Sequence, residues 1–134
     1  MLPISLPTAN GVMLAAAAKK PTGNAAPPPP DQAERLLLQA LDLGVTHFDT
    51  AALYGFGANE TLVGRVLKAH RSRIVLASKG GMAGETFPDG VKRVIDGRPE
   101  AIRRHCEDSL RRLGTDVIDV YYLHRWDKAV PIAV

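Results

Sequence analysis

The stretch Val45-Thr46-His47-Phe48-Asp49-Thr50-Ala51-Ala52-Leu53-Tyr54-Gly55 decides how the rest of this chain is read. Its first four residues, Val45 to Phe48, are β-branched and aromatic and predict a short strand. That strand delivers the carboxylate of Asp49 at its end and then the phenol of Tyr54 in a loop closed by Gly55. Strand ends are where parallel sheets keep their chemistry. A carboxylate and a phenol presented there can form an acid–base pair, provided a cation helps the phenol to give up its proton at neutral pH. Two further apolar strands also end on ionisable residues, Ile74 to Ser78 on Lys79 and Val117 to Leu123 on His124. Asp49, Tyr54, Lys79 and His124 are thus candidates for one cluster above the sheet.

Outward from this centre, the pattern alternates helix and strand. Asp31 and Glu34 resemble a capping box, and the helix they start runs to about Leu43 with an apolar stripe through Leu37, Leu38 and Leu41. Gly44 stands where a C-terminal cap is wanted. Asn59 is the expected N-cap of a second helix, with Leu62, Val63, Val66 and Leu67 on one side. Gly64 inside it implies close packing, since glycine costs about 1 kcal/mol there against alanine. Gly80 to Arg98 reads as a long polar, glycine-rich connection of the functional-loop kind. A third helix follows from Pro99 to Gly114, with Ile102, Cys106, Leu110 and Leu113 as its apolar positions and its arginines as a solvated face. Alternation of this kind predicts βαβ units and a parallel sheet with right-handed crossovers.

Composition narrows the class. The 134 residues are 46% hydrophobic and 23% charged, the balance of one globular domain with a real core. The net charge of +3 is spread along the helices, which argues against a nucleic-acid partner. Cys106 is the only cysteine, so no intrachain disulfide is expected and a cytoplasmic location is the simpler reading. The longest apolar run, Val12 to Ala18, is too short for a bilayer, so no membrane partner is expected. Residues 1–30, with four consecutive prolines at their end, read as an irregular leading segment, although a strand could lie within Gly11 to Leu14. Residues 31–134 form the folded part. His47 reads as structural, His70 as closing a helix, and Cys106 as a small core residue. No metal site is expected, because His105 and Cys106 are adjacent on a helix and point about 100° apart.

The sequence resembles the aldo-keto reductase superfamily, in members that read D-T-A-x-x-Y-G, then S/T-K, then Y-Y-x-H-R. The residues carrying the resemblance are Asp49 to Gly55 with Asn59-Glu60, Ser78-Lys79, Arg111 to Asp119, and Tyr121-Tyr122-Leu123-His124-Arg125. They cover roughly residues 31 to 134 in the family's order. Arg98 stands where the family commonly has a capping serine. The resemblance implies a (β/α)8 TIM barrel, of which this chain would hold roughly the first four β/α units. It implies NADPH as hydride donor and reduction of a small aldehyde or ketone to an alcohol. Tyr54 would be the general acid, Lys79 would stabilise the phenolate, Asp49 would hold Lys79, and His124 would orient the substrate carbonyl. Arg125 and Trp126 would border the substrate, with a structural role for Trp126 as the alternative. Most dinucleotide contacts in this family come from the second barrel half, so the chain is expected to be a truncated member that self-associates or pairs with a missing half. The competing expectation is an inactive remnant or an interaction module, of the kind represented by potassium-channel β subunits.

Overall fold

The structure, a computed structural model, describes residues 28–132. The leading segment up to residue 27, including the strand sought at Gly11 to Leu14, lies outside the described residues. Helix α1 spans Pro30–Asp42, and no side chain caps its start. The expected capping box is not formed, because Asp31 lies inside the first turn and pairs with Arg35 at 2.8 Å, while Glu34 pairs with Arg65 at 3.0 Å. Its end follows the sequence closely. Gly44 adopts φ +89°, Gly44 N–H donates to Leu41 O, and Val45 N–H donates to Ala40 O. These two bonds make a Schellman motif. They also explain why strand β1 is only His47–Asp49, shorter than the run from Val45, since the Val45 N–H is already committed to the helix.

After β1 the chain passes a 3₁₀ turn, Tyr54–Gly57, into α2 (Ala58–Leu67), a second 3₁₀ turn (Lys68–Arg73) and β2 (Val75–Gly80). The turn carries three residues in the left-handed region, Gly55, Phe56 and Gly57. Phe56 is unfavourable there, as any side chain with a Cβ is, and such strain persists only where surrounding packing enforces it. Its ring fills the space above Gly84, where an added Cβ would meet Phe56 Cδ1 at 2.4 Å.

The Gly80 to Arg98 connection is not an irregular loop. It folds into an antiparallel hairpin, β3 (Met82–Phe87) and β4 (Gly90–Ile95), turned by Pro88 and Asp89. A Pro-Asp-Gly turn between two runs that pair residue for residue is the sequence signal for it. The hairpin is tied down at its base, where Asp96 N–H donates to Gly81 O at 2.9 Å, and on its flank, where Arg104 reaches Glu85 at 3.0 Å. Asp96 is also gripped by Arg98, whose guanidinium hydrogen bond, against the opposing effect of burial, holds the carboxyl at about 2.

Helix α3 (Pro99–Leu113) closes on Gly114 in the left-handed conformation, as expected. Its buried face differs from the expected one. Ala101, His105, Ser109 and Leu113 are buried, whereas Ile102, Cys106 and Leu110 are only partly so. Strand β5 (Val120–Leu123) is shorter than predicted. The Leu76 N–H that would extend the ladder goes to the Asp119 carboxylate at 2.7 Å, and Arg71 holds the same carboxylate at 2.7 Å.

The three strands β1, β2 and β5 form one parallel sheet in the order β1-β2-β5. Helices α1, α2 and α3 cover one face, and Leu37, Phe48, Val63, Leu67, Leu76 and Leu113 interlock in the core between them. Gly64 is the closest approach of α2 to α3, as a Cβ there would lie 2.4 Å from Leu113 O. The described residues therefore show three parallel strands of an open sheet, where roughly four β/α units were expected. The sheet is not closed into a barrel.

Candidate active site

Parallel pairing places the candidate residues on one side of the sheet. Asp49 pairs in register with Ala77, so Lys79, two residues further along β2, points to the same face. His124 follows β5, with its N–H donating to Gly80 O at 2.8 Å. The Lys79 ammonium donates to Asp49 Oδ2 at 2.5 Å and to Thr50 O at 2.9 Å. It stands 5.1 Å from the centroid of the Tyr54 ring. Tyr54 and His124 meet edge to face, with centroids 5.7 Å apart and planes at 88°. All four predicted residues are thus brought together.

The Lys79 and Asp49 side chains are 15% and 9% exposed, so little water screens their charge-assisted bond. Among the described residues no group of three or more His, Cys, Asp or Glu side chains is placed to hold a metal ion. His124 is held below the usual imidazole range by burial first, then by the Lys79 and Arg125 cations, with Asp49 opposing. The neutral form is therefore favoured at pH 7, in which one ring nitrogen can donate and the other accept. Burial likewise lowers His105.

These two imidazoles make stability pH-dependent. Both bind protons less readily when folded than at the ordinary value of 6.5, so the unfolded chain takes up more protons as the pH falls. Their contribution is complete above 6.5 and is lost below it, towards the folded values. The urea midpoint is accordingly expected to fall between about pH 7.5 and about pH 5.5, and His105→Gln should flatten the dependence. A midpoint that holds constant or rises on acidification would contradict buried neutral imidazoles.

Beneath the cluster lies a polar layer that the sequence did not announce. Asn59 does not cap α2, whose N-cap is Gly57; it is buried, and its Oδ1 accepts the Thr50 hydroxyl at 2.6 Å. Glu60 is fully buried, accepting the Ser78 hydroxyl at 2.5 Å and Arg112 Nε at 2.6 Å. Arg112 is therefore not part of a solvated face. His105, adjacent to Cys106, is a buried residue whose Nδ1 accepts the Gly81 N–H at 3.2 Å. Helical spacing held the missing signal. Glu60, Val63, Gly64 and Leu67 form one stripe, and Ala101, His105, Ser109 and Leu113 form another, so the polar members share a face with the core.

Arg125 is exposed beside His124. The Trp126 indole N–H donates to Val130 O at 3.0 Å, and its ring lines a groove with Pro99, Ile102 and Leu123 that none of the four clustered residues lines. Trp126 is thus not gathered into the cluster.

Parallel strands whose C-terminal ends collect an acid–base cluster are the arrangement of (β/α)8-barrel enzymes. Residues 16–133 match the model of the aldo/keto reductase family, and the chain belongs to that family. Over 94 residues, 69% of this chain and 26% of the relative, it is 49% identical to an aldo-keto reductase of Glycine max. It is also similar to the holo form of an aldo-keto reductase from Bacillus halodurans, with a TM-score of 0.74 and 36% identity over 91% of this chain and 37% of that one. A third likeness is to an aldo/keto reductase from Klebsiella pneumoniae solved with NADP and acetate, with a TM-score of 0.57 and 37% identity over 74% of this chain and 31% of that one. The chain thus spans about a quarter of the length of that curated relative.

Proposed function

We propose that this chain supplies the proton-transfer half of an NADPH-dependent carbonyl reductase. The observation that carries the reading is the Lys79 ammonium, held by Asp49 and Thr50 beside the Tyr54 ring with His124 edge-on to it. In this reading Tyr54 gives its proton to the carbonyl oxygen as negative charge develops there. Lys79 stabilises the phenolate left behind, and Asp49 keeps the ammonium in place. Neutral His124 donates a hydrogen bond that orients the carbonyl. Arg125, in the loop after β5, borders the substrate once a barrel is complete.

The donor set suits a nicotinamide cofactor, because all four side chains handle protons or charge and none can deliver a hydride. When bound, the dihydronicotinamide supplies that hydride. Support for the reading comes from family membership and from the NADP complex of the Klebsiella pneumoniae relative. Its test is a titration with NADPH followed by nicotinamide fluorescence, on the chain alone and with the remaining barrel strands supplied in trans. Saturable binding is expected only with the strands present. Failure of the completed barrel to bind NADPH would overturn the proposal.

A further inference from the structure

Lys79 carries three N–H donors, and two of them are used within the chain. One goes to the Asp49 carboxylate and the other to the backbone carbonyl of Thr50, at 2.9 Å. A carbonyl directs an ammonium only as well as its own peptide is held. Three bonds hold this segment. Thr50 N–H donates to Ala77 O at 2.9 Å, Ala52 N–H donates to Lys79 O at 3.2 Å, and the Thr50 hydroxyl donates to Asn59 Oδ1 at 2.6 Å. The first two belong to the strand pairing that any residue at these positions could make. The third is specific to side chains, and both are buried, Thr50 at 0% and Asn59 at 3% exposure.

We infer that Thr50 and Asn59 are positioning residues, which fix the second acceptor of the Lys79 ammonium by anchoring the end of β1 to the first turn of α2. The inference rests on the proposed function for its catalytic meaning, but not for its geometry. Asn59 reaches Thr50 because the left-handed run Gly55, Phe56 and Gly57 folds the chain back, so that α2 begins beneath the strand end it has just left. The same turn presents Tyr54. One local fold therefore sets both the phenol and the ammonium beside it.

The test reads the ammonium directly, by hydrogen exchange of the ¹⁵N-labelled Lys79 side chain in the full chain. Thr50→Val, which deletes the hydroxyl and keeps the shape, is expected to speed exchange by roughly 3- to 10-fold, the factor that one hydrogen bond corresponds to. Thr50→Ser keeps the hydroxyl and should exchange as the parent does. Asn59→Ala, which removes the acceptor of the Thr50 hydroxyl, should speed exchange at least as much as Thr50→Val does. Gly64→Ala serves as the control for general destabilisation. Its methyl presses on the Leu113 backbone, away from the ammonium, and Lys79 exchange should not change.

Parent-like exchange in Thr50→Val, or equally fast exchange in Thr50→Ser, would overturn the inference. If Thr50→Val does not fold, Asn59→Ala takes its place and Asn59→Asp, which keeps an oxygen for the hydroxyl, takes that of Thr50→Ser. Parent-like exchange in Asn59→Ala, or equally fast exchange in Asn59→Asp, then overturns the inference in the same way. The two ideas fail separately. Exchange insensitive to Thr50 removes the positioning role and leaves the reductase reading intact, whereas a completed barrel that reduces carbonyls without Tyr54 removes the proposed acid and leaves the exchange result standing.

Discussion

Tyr54→Phe is expected to lower carbonyl reduction by roughly 10²- to 10⁴-fold, the usual contribution of general acid catalysis, in a barrel completed by fusion or in trans. The substitution deletes one hydroxyl and leaves the ring that faces Lys79 and His124. NADPH affinity should therefore stay close to that of the parent, so that the loss falls on turnover. Lys79→Met should depress turnover as well, because it removes the cation beside the ring, and Asp49→Asn should do so more weakly. The measurement is the rate of NADPH oxidation with an aromatic aldehyde. Activity within a few-fold of the parent for Tyr54→Phe would mean that another group supplies the proton, and His124 is the next candidate.

The second large effect is on stability. Arg112→Met is expected to destabilise the chain by about 3 kcal/mol or more, because it strands a carboxylate that has no access to water. Glu60 is 0% exposed, and of its two partners only the Ser78 hydroxyl would remain. With Ser78 the pair ties three elements together, since Glu60 lies on α2, Arg112 on α3 and Ser78 on β2. Replacing both ends, as Glu60→Met with Arg112→Met, should recover much of the loss, since an apolar pair carries no desolvation cost. Urea denaturation of the two variants decides the point. A single variant within about 0.5 kcal/mol of the parent would place the Glu60 carboxylate in contact with water after all.

The candidate cluster was legible in the sequence because three of its four members close strands and Tyr54 follows one by a short turn, so that direction and order follow from the chain alone. Asp49, Lys79 and His124 close three successive apolar runs, and parallel pairing then brings them to one edge. The hairpin was missed, although Pro88-Asp89-Gly90 and the paired runs on either side carry its signal, because the abundance of polar residues and glycines there reads as a loop. The polar layer under the cluster was harder to see. A glutamate or arginine on a helix reads as solvated until the neighbouring helix is known, and only the contact between α2 and α3 shows that Glu60 and Arg112 face each other.

What the sequence by itself determined is local: the helix ends at Gly44 and Gly114, the need for a bare backbone at Gly64, the parallel class of the sheet and the identity of the four clustered residues. These follow from dihedral preference, side-chain volume and periodicity, which act over a few residues. Tertiary structure alone decided which side chains partner across elements. It turned Asn59 from a cap into the acceptor for Thr50, moved the buried face of α3 onto His105 and Ser109, and directed Trp126 towards Val130. The reason is physical: a buried polar group must find a partner, and the partner's position depends on how the helices pack rather than on the sequence around either residue.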